Sequence, residues 1–227
     1  MKTILFLILI SLPSTLQATL IELADCTGAV DCIITTTPPD PVVQNPNDGI
    51  LLAWDEFQNF TLLQDLRVDR VFDESASFVE AIGSDFLIKA GTIVSSHYLQ
   101  WDPNGAGATG SVEATIKLDS QVFAFITADQ NLFDSDFLGL PDLDYNDFSL
   151  RGLESGDTTV FNGTDVDIDW TASSPGDWTR LITAFSPAAV EIPEPSTFWI
   201  GVLLSALIAR GRRCNLVKLK GETQKAL

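Results

Sequence analysis

Residues 111–118 have the sequence SVEATIKL, in which polar and apolar side chains alternate strictly. Successive side chains of a β-strand point to opposite faces of the sheet, so Val112, Ala114, Ile116 and Leu118 share one face. A period of two predicts a strand with one buried face and one solvated face. This stretch therefore argues for a sheet protein.

The alternation recurs in residues 165–170, DVDIDW, where three aspartates oppose Val166, Ile168 and Trp170. Short apolar runs also occur in the body of the chain, namely ILLAW at 50, FTLLQ at 60 and VFAFIT at 122. Turn sequences such as Asn162-Gly163 separate these runs, and helical periodicity is scarce. We predict an all-β fold, with a β-sandwich of jelly-roll type over residues 50–190.

The N-terminus has the pattern of a secretory signal peptide. Lys2 precedes an apolar run, Ile4 to Leu12, and the small residue Ala18 follows. A run of nine residues is far shorter than the roughly 20 that a membrane-spanning helix needs. We therefore expect residues 1–18 to be a signal peptide, cleaved after Ala18.

Charge is distributed very unevenly along the chain. Residues 19–192 contain 29 acidic and six basic residues, whereas residues 210–227 contain six basic residues and one acidic residue. The acidic body disfavours nucleic acid and anionic lipid as partners and favours cations. The basic segment follows an apolar stretch, which is the pattern of a cytoplasmic flank.

Residues 192–213 combine three features in a fixed order. Pro193, Glu194 and Pro195 come first, the uncharged run Thr197 to Ala209 follows, and a cluster of arginines closes the segment. The apolar run predicts a transmembrane helix, and a buried core helix is the less favoured alternative because no amphipathic period is present. The prolines hold residues 192–195 extended, where a processing enzyme could reach them.

This order resembles the PEP-CTERM sorting signal of Gram-negative bacteria, over about residues 192–213. The resemblance implies that an exosortase in the inner membrane recognises Pro193, Glu194 and Pro195, and that the protein is released to the cell surface or its exopolysaccharide. Residues 214–227 would then be a basic cytoplasmic tail. This tail departs from the family pattern, which usually ends soon after the arginines.

Residues 19–49 are predicted to be a linker, since they include four prolines among Asx residues. Cys26 and Cys32 lie in this segment. A signal peptide places them in an oxidising compartment, where a disulfide is favoured over a metal pair, and two free thiols are the alternative.

One stretch has the ligand types of a calcium loop. Asp142, Asp144 and Asn146 alternate, and Asp147 follows. Hard oxygen ligands at alternate positions suit Ca²⁺, although the segment lacks the glycine and glutamate of an EF-hand. The run resembles an Asp-rich motif of secreted bacterial sandwich domains linked to calcium and adhesion. The alternative is an Asx turn that fixes the loop without metal.

Two further residues suggest other functions. Trp101, beside a turn sequence, is a candidate for contact with carbohydrate, and a core position is the alternative. His97 is the only histidine, and it lies in a predicted strand without a nucleophile signature, so a half-buried strand residue is favoured over a catalytic one.

These features together predict a secreted surface or extracellular-matrix protein, associated with exopolysaccharide, that binds or supports structure and is not an enzyme. Ca²⁺ is the predicted cofactor, and nucleic acid is excluded as a partner. The alternative is a secreted polysaccharide-active enzyme that uses carboxylates, because the spatial spacing of the many acidic residues is not visible in the sequence.

Overall fold

The computed structural model describes residues 20–146, 150–173 and 175–187, and all of them belong to one compact unit. The regular secondary structure of the described residues is almost entirely β-strand, so the all-β prediction is confirmed. Their elements are β1 (Leu20–Thr27), β2 (Asp31–Ile34), β3 (Ile50–Asp55), β4 (Phe60–Thr61), β5 (Leu66–Val68), β6 (Arg70–Val71), β7 (Val79–Ile82), β8 (Asp85–Ile88), β9 (Ile93–Trp101), β10 (Thr109–Leu118), β11 (Val122–Ile126), the short helix α1 (Asp129–Asp134), a 3₁₀ turn (Asp136–Leu138), β12 (Thr158–Asn162), β13 (Asp165–Ser173) and β14 (Asp177–Thr183).

The strands are arranged in three sheets. The outer sheet has the antiparallel order β1-β10-β13-β12. The central sheet has the order β2-β3-β9-β14-β11-β6, with β4 paired to β9 and a parallel pair only at β2-β3. The small sheet has the order β5-β8-β7.

The two alternating stretches pair with each other in the outer sheet. Val112 lies opposite Trp170, and Ile116 lies opposite Val166. In β13, burial alternates with the sequence, because the apolar residues are buried and the residues between them are exposed or half-buried. The apolar face of the outer sheet packs against the central sheet in one core, which includes Leu99 and Leu181.

A second core covers the opposite face of the central sheet. Tyr98, Trp178 and Ile182 of the central sheet pack there against Ile88 of the small sheet and Leu132 of α1. The central sheet is therefore buried on both faces, and every residue of β14 is buried. This explains why β9 and β14 lack the alternation of the outer sheet.

The predicted linker is partly wrong. Residues 20–34, within the segment 19–49, form β1 on the outer sheet and β2 on the central sheet. A disulfide joins Cys26 and Cys32 across the turn between the two strands. Even in the proline-rich part, Val42 is fully buried. The prolines and Asx residues here form turns in a packed segment and not a flexible linker.

Candidate functional site

The central sheet carries buried charged groups on both faces. Side chains alternate along β14, so Arg180 faces the second core together with Trp178 and Ile182, whereas Asp177 faces the outer sheet together with Leu181. Arg180 has hydrogen-bond partners for its charge, whereas Asp177 has none among the described residues. This difference makes the face that carries Asp177 the better candidate for a binding site.

Arg180 lies in a fully paired network. Its guanidinium donates to Glu56 Oε2 at 2.6 Å and to Glu56 Oε1 at 2.9 Å, and both side chains are 0% exposed. It also donates to Ser135 Oγ at 2.6 Å and to the Leu132 carbonyl at 3.1 Å. Burial opposes the charge of Arg180, but Glu56 and Asp136 raise its pKa above the ordinary value. The pair fixes α1 on the central sheet.

Arg151 extends this network to the loop after the 3₁₀ turn. It forms two hydrogen bonds with the Asp136 carboxylate, at 2.6 and 2.8 Å, and donates to Tyr98 Oη at 2.9 Å. Burial raises the pKa of Tyr98 to about 12, so this phenol stays protonated. Two arginines thus balance two carboxylates, and the network has the properties of a structural clamp.

His97 lies in a hydrogen-bonded row that resembles a catalytic triad in composition. Its Nδ1 lies 2.8 Å from Asp55 Oδ1, and its Nε2 lies 3.1 Å from Thr183 Oγ1. Both His97 and Thr183 are 0% exposed, so a substrate cannot reach the hydroxyl. His97 is fully buried rather than half-buried as the sequence suggested, and it acts as a cross-strand polar contact.

The other face of β14 carries a cluster of carboxylates. Oxygen atoms of Glu154, Asp157 and Asp177 all lie within 4.8 Å of one another. Asp177 is fully buried and Asp157 is 5% exposed, whereas Glu154 is exposed. We call these three residues the acidic cluster. It lies at one end of the sandwich, where the loop before β12 meets the start of β14.

Asp157 is held in place by backbone donors. Its Oδ1 accepts from the amide of Thr171 at 2.8 Å, and its Oδ2 accepts from the amide of Glu154 at 2.7 Å. Burial raises the pKa of Asp157 despite these two hydrogen bonds. The loop from Glu154 to Asp157 is therefore already fixed on the outer sheet. The two carboxylate oxygens of Asp157 each retain a lone pair that could bind a further donor or a cation.

Asp177 has no such support. Among the described residues, no donor reaches either of its carboxylate oxygens. Burial, the neighbouring Glu154 carboxyl group, and the charges of Asp157 and Asp102 raise its pKa to about 9. Arg70 donates at 3.5 Å to the backbone carbonyl of Asp157 and not to its carboxylate.

Gly176 allows Asp177 to lie so deep. A Cβ at position 176 would overlap the carbonyl oxygen of Trp101 and crowd Asp102. Only glycine permits this close approach between the end of β9 and the start of β14. The approach brings Asp102 and Asp177 to the same end of the sandwich.

Asp144 and Asn146 of the predicted calcium segment form hydrogen bonds with the backbone. Asp144 Oδ1 accepts from the amide of Asn146 at 2.9 Å, and Asn146 Nδ2 donates to the carbonyl of Val42 at 2.7 Å. Asp142 is exposed, and Asp147 lies outside the described residues. The contacts seen are those of the Asx-turn alternative, and they attach the segment to the chain near Pro41. Metal binding by this segment stays a prediction.

A cleft of about 460 Å³ lies beside this segment. Three phenylalanines line it and are partly exposed, Phe57 at 37%, Phe133 at 47% and Phe137 at 38%. Asp136, Asp144 and Asn146 supply its polar atoms. We call this feature the aromatic cleft.

Trp101 does not contribute to a sugar-binding surface. Its side chain is 1% exposed and lies in the core between the outer and central sheets. The suggestion that it contacts carbohydrate is therefore wrong. The other described tryptophans, Trp54, Trp170 and Trp178, are also buried, because their large apolar area fills the two cores.

The predicted signal peptide, sorting motif and C-terminal helix lie outside the described residues. Within the described part of the chain, no helix has the length and apolar character needed to cross a membrane.

Sequence reasoning missed both the acidic cluster and the aromatic cleft. Asp177 follows a Ser-Pro-Gly turn, which predicts a solvated aspartate. Phe133 and Phe137 are one helical turn apart, a local signal that could have indicated a shared surface.

No protein family matches the chain, and neither the curated proteins nor the solved structures include a significant match.

Proposed function

We propose that this chain is a secreted surface or extracellular-matrix protein that binds exopolysaccharide through the aromatic cleft and does not act on it as an enzyme. The exposed phenylalanine rings of the cleft carry this proposal. Ligand sites combine apolar walls with a few polar groups that fix orientation, and the aromatic cleft has both. Sugar rings have apolar C–H faces that pack on aromatic rings, and their hydroxyls donate to carboxylate and amide oxygens.

The charge of the protein narrows the class of polysaccharide. The formal net charge is −18, and the polar groups of the cleft include the exposed carboxylate of Asp144. Like charges repel an anionic polymer at short range. The proposed ligand is therefore a neutral polysaccharide.

The route to the surface is part of this proposal. The signal peptide would export the chain, a C-terminal helix over 197–209 would hold it at the inner membrane, and an exosortase would cleave near Pro193–Pro195. The Cys26–Cys32 disulfide is consistent with an oxidising compartment. We further propose that the sandwich is of jelly-roll type.

The sorting route predicts a defined product mass. Protein recovered from the cell surface and medium of the native host is expected to end near Pro193–Pro195, as measured by intact mass spectrometry. Changing Glu194 and Pro195 to alanine should leave residues up to Leu227 attached and retain the protein in the membrane fraction. Pro187→Ala, upstream of the motif, is the matched control and should be processed normally. Surface protein that still ends at Leu227 would contradict the sorting route.

Binding by the aromatic cleft predicts sensitivity to loss of its rings. The double change Phe133→Ala and Phe137→Ala is expected to weaken retention on immobilised exopolysaccharide from the host by at least tenfold, because both exposed ring faces are lost. Phe185→Ala removes a phenylalanine outside the cleft that is 47% exposed, and it should bind like the wild type.

The same assay separates binding from catalysis. Retention without release of reducing ends supports a binding protein. Release of reducing ends would support the polysaccharide-active enzyme instead, and equal retention of the phenylalanine double variant would place the binding surface elsewhere.

A further inference from the structure

We propose that the acidic cluster of Glu154, Asp157 and Asp177 is a Ca²⁺ site that fastens the loop before β12 to the end of the central sheet. The proposal is independent of the polysaccharide and sorting proposals, because it depends only on the geometry of the folded domain.

The distances suit calcium. Ca²⁺ binds carboxylate oxygens at about 2.3–2.6 Å, so two of its ligands can be separated by up to about 5 Å. The three ligand atoms lie within 4.8 Å of one another. Mg²⁺, with ligands at about 2.0–2.1 Å, would require the oxygens to draw closer together. The ligand set contains only hard oxygen donors, which disfavours zinc and other metals that prefer nitrogen or sulfur.

An acidic cluster alone would not indicate a ligand, but Asp177 supplies an independent observation. It is fully buried, and no donor in the described residues reaches its two oxygens, one of which lies within 4.8 Å of a carboxylate oxygen of Asp157 and of Glu154. Buried carboxylates are normally paired with donors, cations or metals. A divalent cation would satisfy both oxygens and neutralise the mutual repulsion of the cluster.

The surroundings are consistent with a pre-formed site open to solvent on one side. Backbone amides fix Asp157 on the outer sheet, and Gly176 lets β14 approach β9 closely. Glu154 is exposed, which provides the route by which an ion enters. Asp102 is fully buried beside Asp177 and adds negative charge to the same region.

The site links two parts of the sandwich that are far apart in the sequence. Asp177 begins β14 of the central sheet, while Glu154 and Asp157 precede β12 at the edge of the outer sheet. One ion bound to all three would tie the two sheets together at this end. We expect a dissociation constant of about 0.1–1 mM, the range of weak calcium modules, so 10 mM CaCl₂ would fill the site.

The test is calcium-dependent thermal unfolding of the purified protein, first in EDTA and then in 10 mM CaCl₂. The melting temperature of the wild type is expected to rise by about 3–10 °C. Asp177→Asn keeps the shape of the side chain and should abolish this rise. Glu154→Gln changes an exposed side chain without disturbing the core, and it should weaken Ca²⁺ binding about tenfold in calorimetric titration.

A matched control distinguishes this site from the segment predicted from sequence. Asp142→Asn removes one exposed carboxylate of that segment and should keep the full calcium response. Tb³⁺ luminescence excited through tryptophan is a second readout, since Trp101 lies opposite Asp177 in the β9–β14 pair and in the core on the same face; the emission should appear in the wild type and be lost in Asp177→Asn.

Several results would overturn the proposal. These are a wild type whose melting temperature does not respond to CaCl₂, an Asp177→Asn variant that responds fully, and a response lost in Asp142→Asn but kept in Glu154→Gln. An equal response to 10 mM MgCl₂ would overturn calcium as the ion. Failure of polysaccharide binding with a normal calcium response would affect only the proposed function.

Discussion

Replacing Arg180 with methionine is expected to lower the free energy of unfolding by about 3–5 kcal/mol. Arg180 and Glu56 are both 0% exposed and joined by two hydrogen bonds. Methionine fills much of the volume of arginine but leaves the Glu56 carboxylate as a buried charge without its cation. Ser135 Oγ and the Leu132 carbonyl also lose a donor. Urea denaturation of the two proteins measures the difference.

A matched control uses the exposed ion pair between Arg67 and Asp85. Arg67 Nε lies 2.6 Å from Asp85 Oδ2, as close as Arg180 lies to Glu56, but the Arg67 side chain is 51% exposed. Arg67→Met should therefore change stability by less than about 1 kcal/mol. Combining Arg180→Met with Glu56→Gln should recover part of the loss, because the stranded charge is removed. An effect of Arg180→Met as small as that of Arg67→Met would contradict the role assigned to the network.

The outer sheet could be predicted from the sequence because it has one buried face and one solvated face. The alternation in residues 111–118 and 165–170 corresponds to two strands that pair with each other in register, from Val112 and Trp170 to Ile116 and Val166. The central sheet could not be predicted in this detail. Its strands β9 and β14 are covered on both faces, so burial no longer distinguishes alternate residues.

The buried polar residues of these two strands depend on partners that are distant in sequence. Arg180 is paired with Glu56, 124 residues away, and His97 with Thr183, 86 residues away. No local period encodes such pairs, and a lone arginine in a strand predicts exposure. The sequence therefore indicated the strands but not the charge network that holds α1 and the following loop on them.

The acidic cluster could not be predicted from the sequence for a related reason. A dense local run of Asx residues has the ligand types of a metal loop. Such residues also form hydrogen bonds with the nearby backbone, as Asp144 and Asn146 do. The acidic cluster instead combines Glu154 and Asp157 with Asp177, which lies 20 residues further along the chain. Its convergence follows from sheet pairing and from the close approach at Gly176, and neither is visible before the fold is known.

Asp177→Asn is expected to stabilise the protein in EDTA at pH 7, by several kcal/mol. In the wild type, Asp177 must either hold a proton well above its ordinary pKa or carry a buried charge among Glu154, Asp157 and Asp102, with Arg70 bonded only to the backbone of Asp157. An amide of the same shape carries no charge, and its NH₂ group is a donor for the neighbouring carboxylates. Asp142→Asn, at an exposed position, should leave stability unchanged within about 0.5 kcal/mol.

The pH dependence of wild-type stability checks this explanation. Its direction follows from the raised pKa of Asp177. Burial raises the pKa of Asp177 to about 9 in the folded state, against a model-compound value of 3.8. The folded state then binds more protons between these two values, so wild-type stability should fall as pH rises, by up to about 1.4 kcal/mol per pH unit. Asp177→Asn should remove this slope in urea denaturation between pH 5 and 8. Equal slopes in the two proteins would contradict a buried, unpaired Asp177.

Calcium is expected to narrow the difference in stability that is seen in EDTA. At 10 mM Ca²⁺ and a dissociation constant of about 0.1–1 mM, binding would stabilise the wild type by about 1.4–2.7 kcal/mol, whereas Asp177→Asn would gain nothing because it has lost one ligand. A merely structural aspartate would give the same difference between the two proteins in both buffers. The change in this difference thus separates a metal ligand from a tolerated buried acid, and it needs only four melting curves.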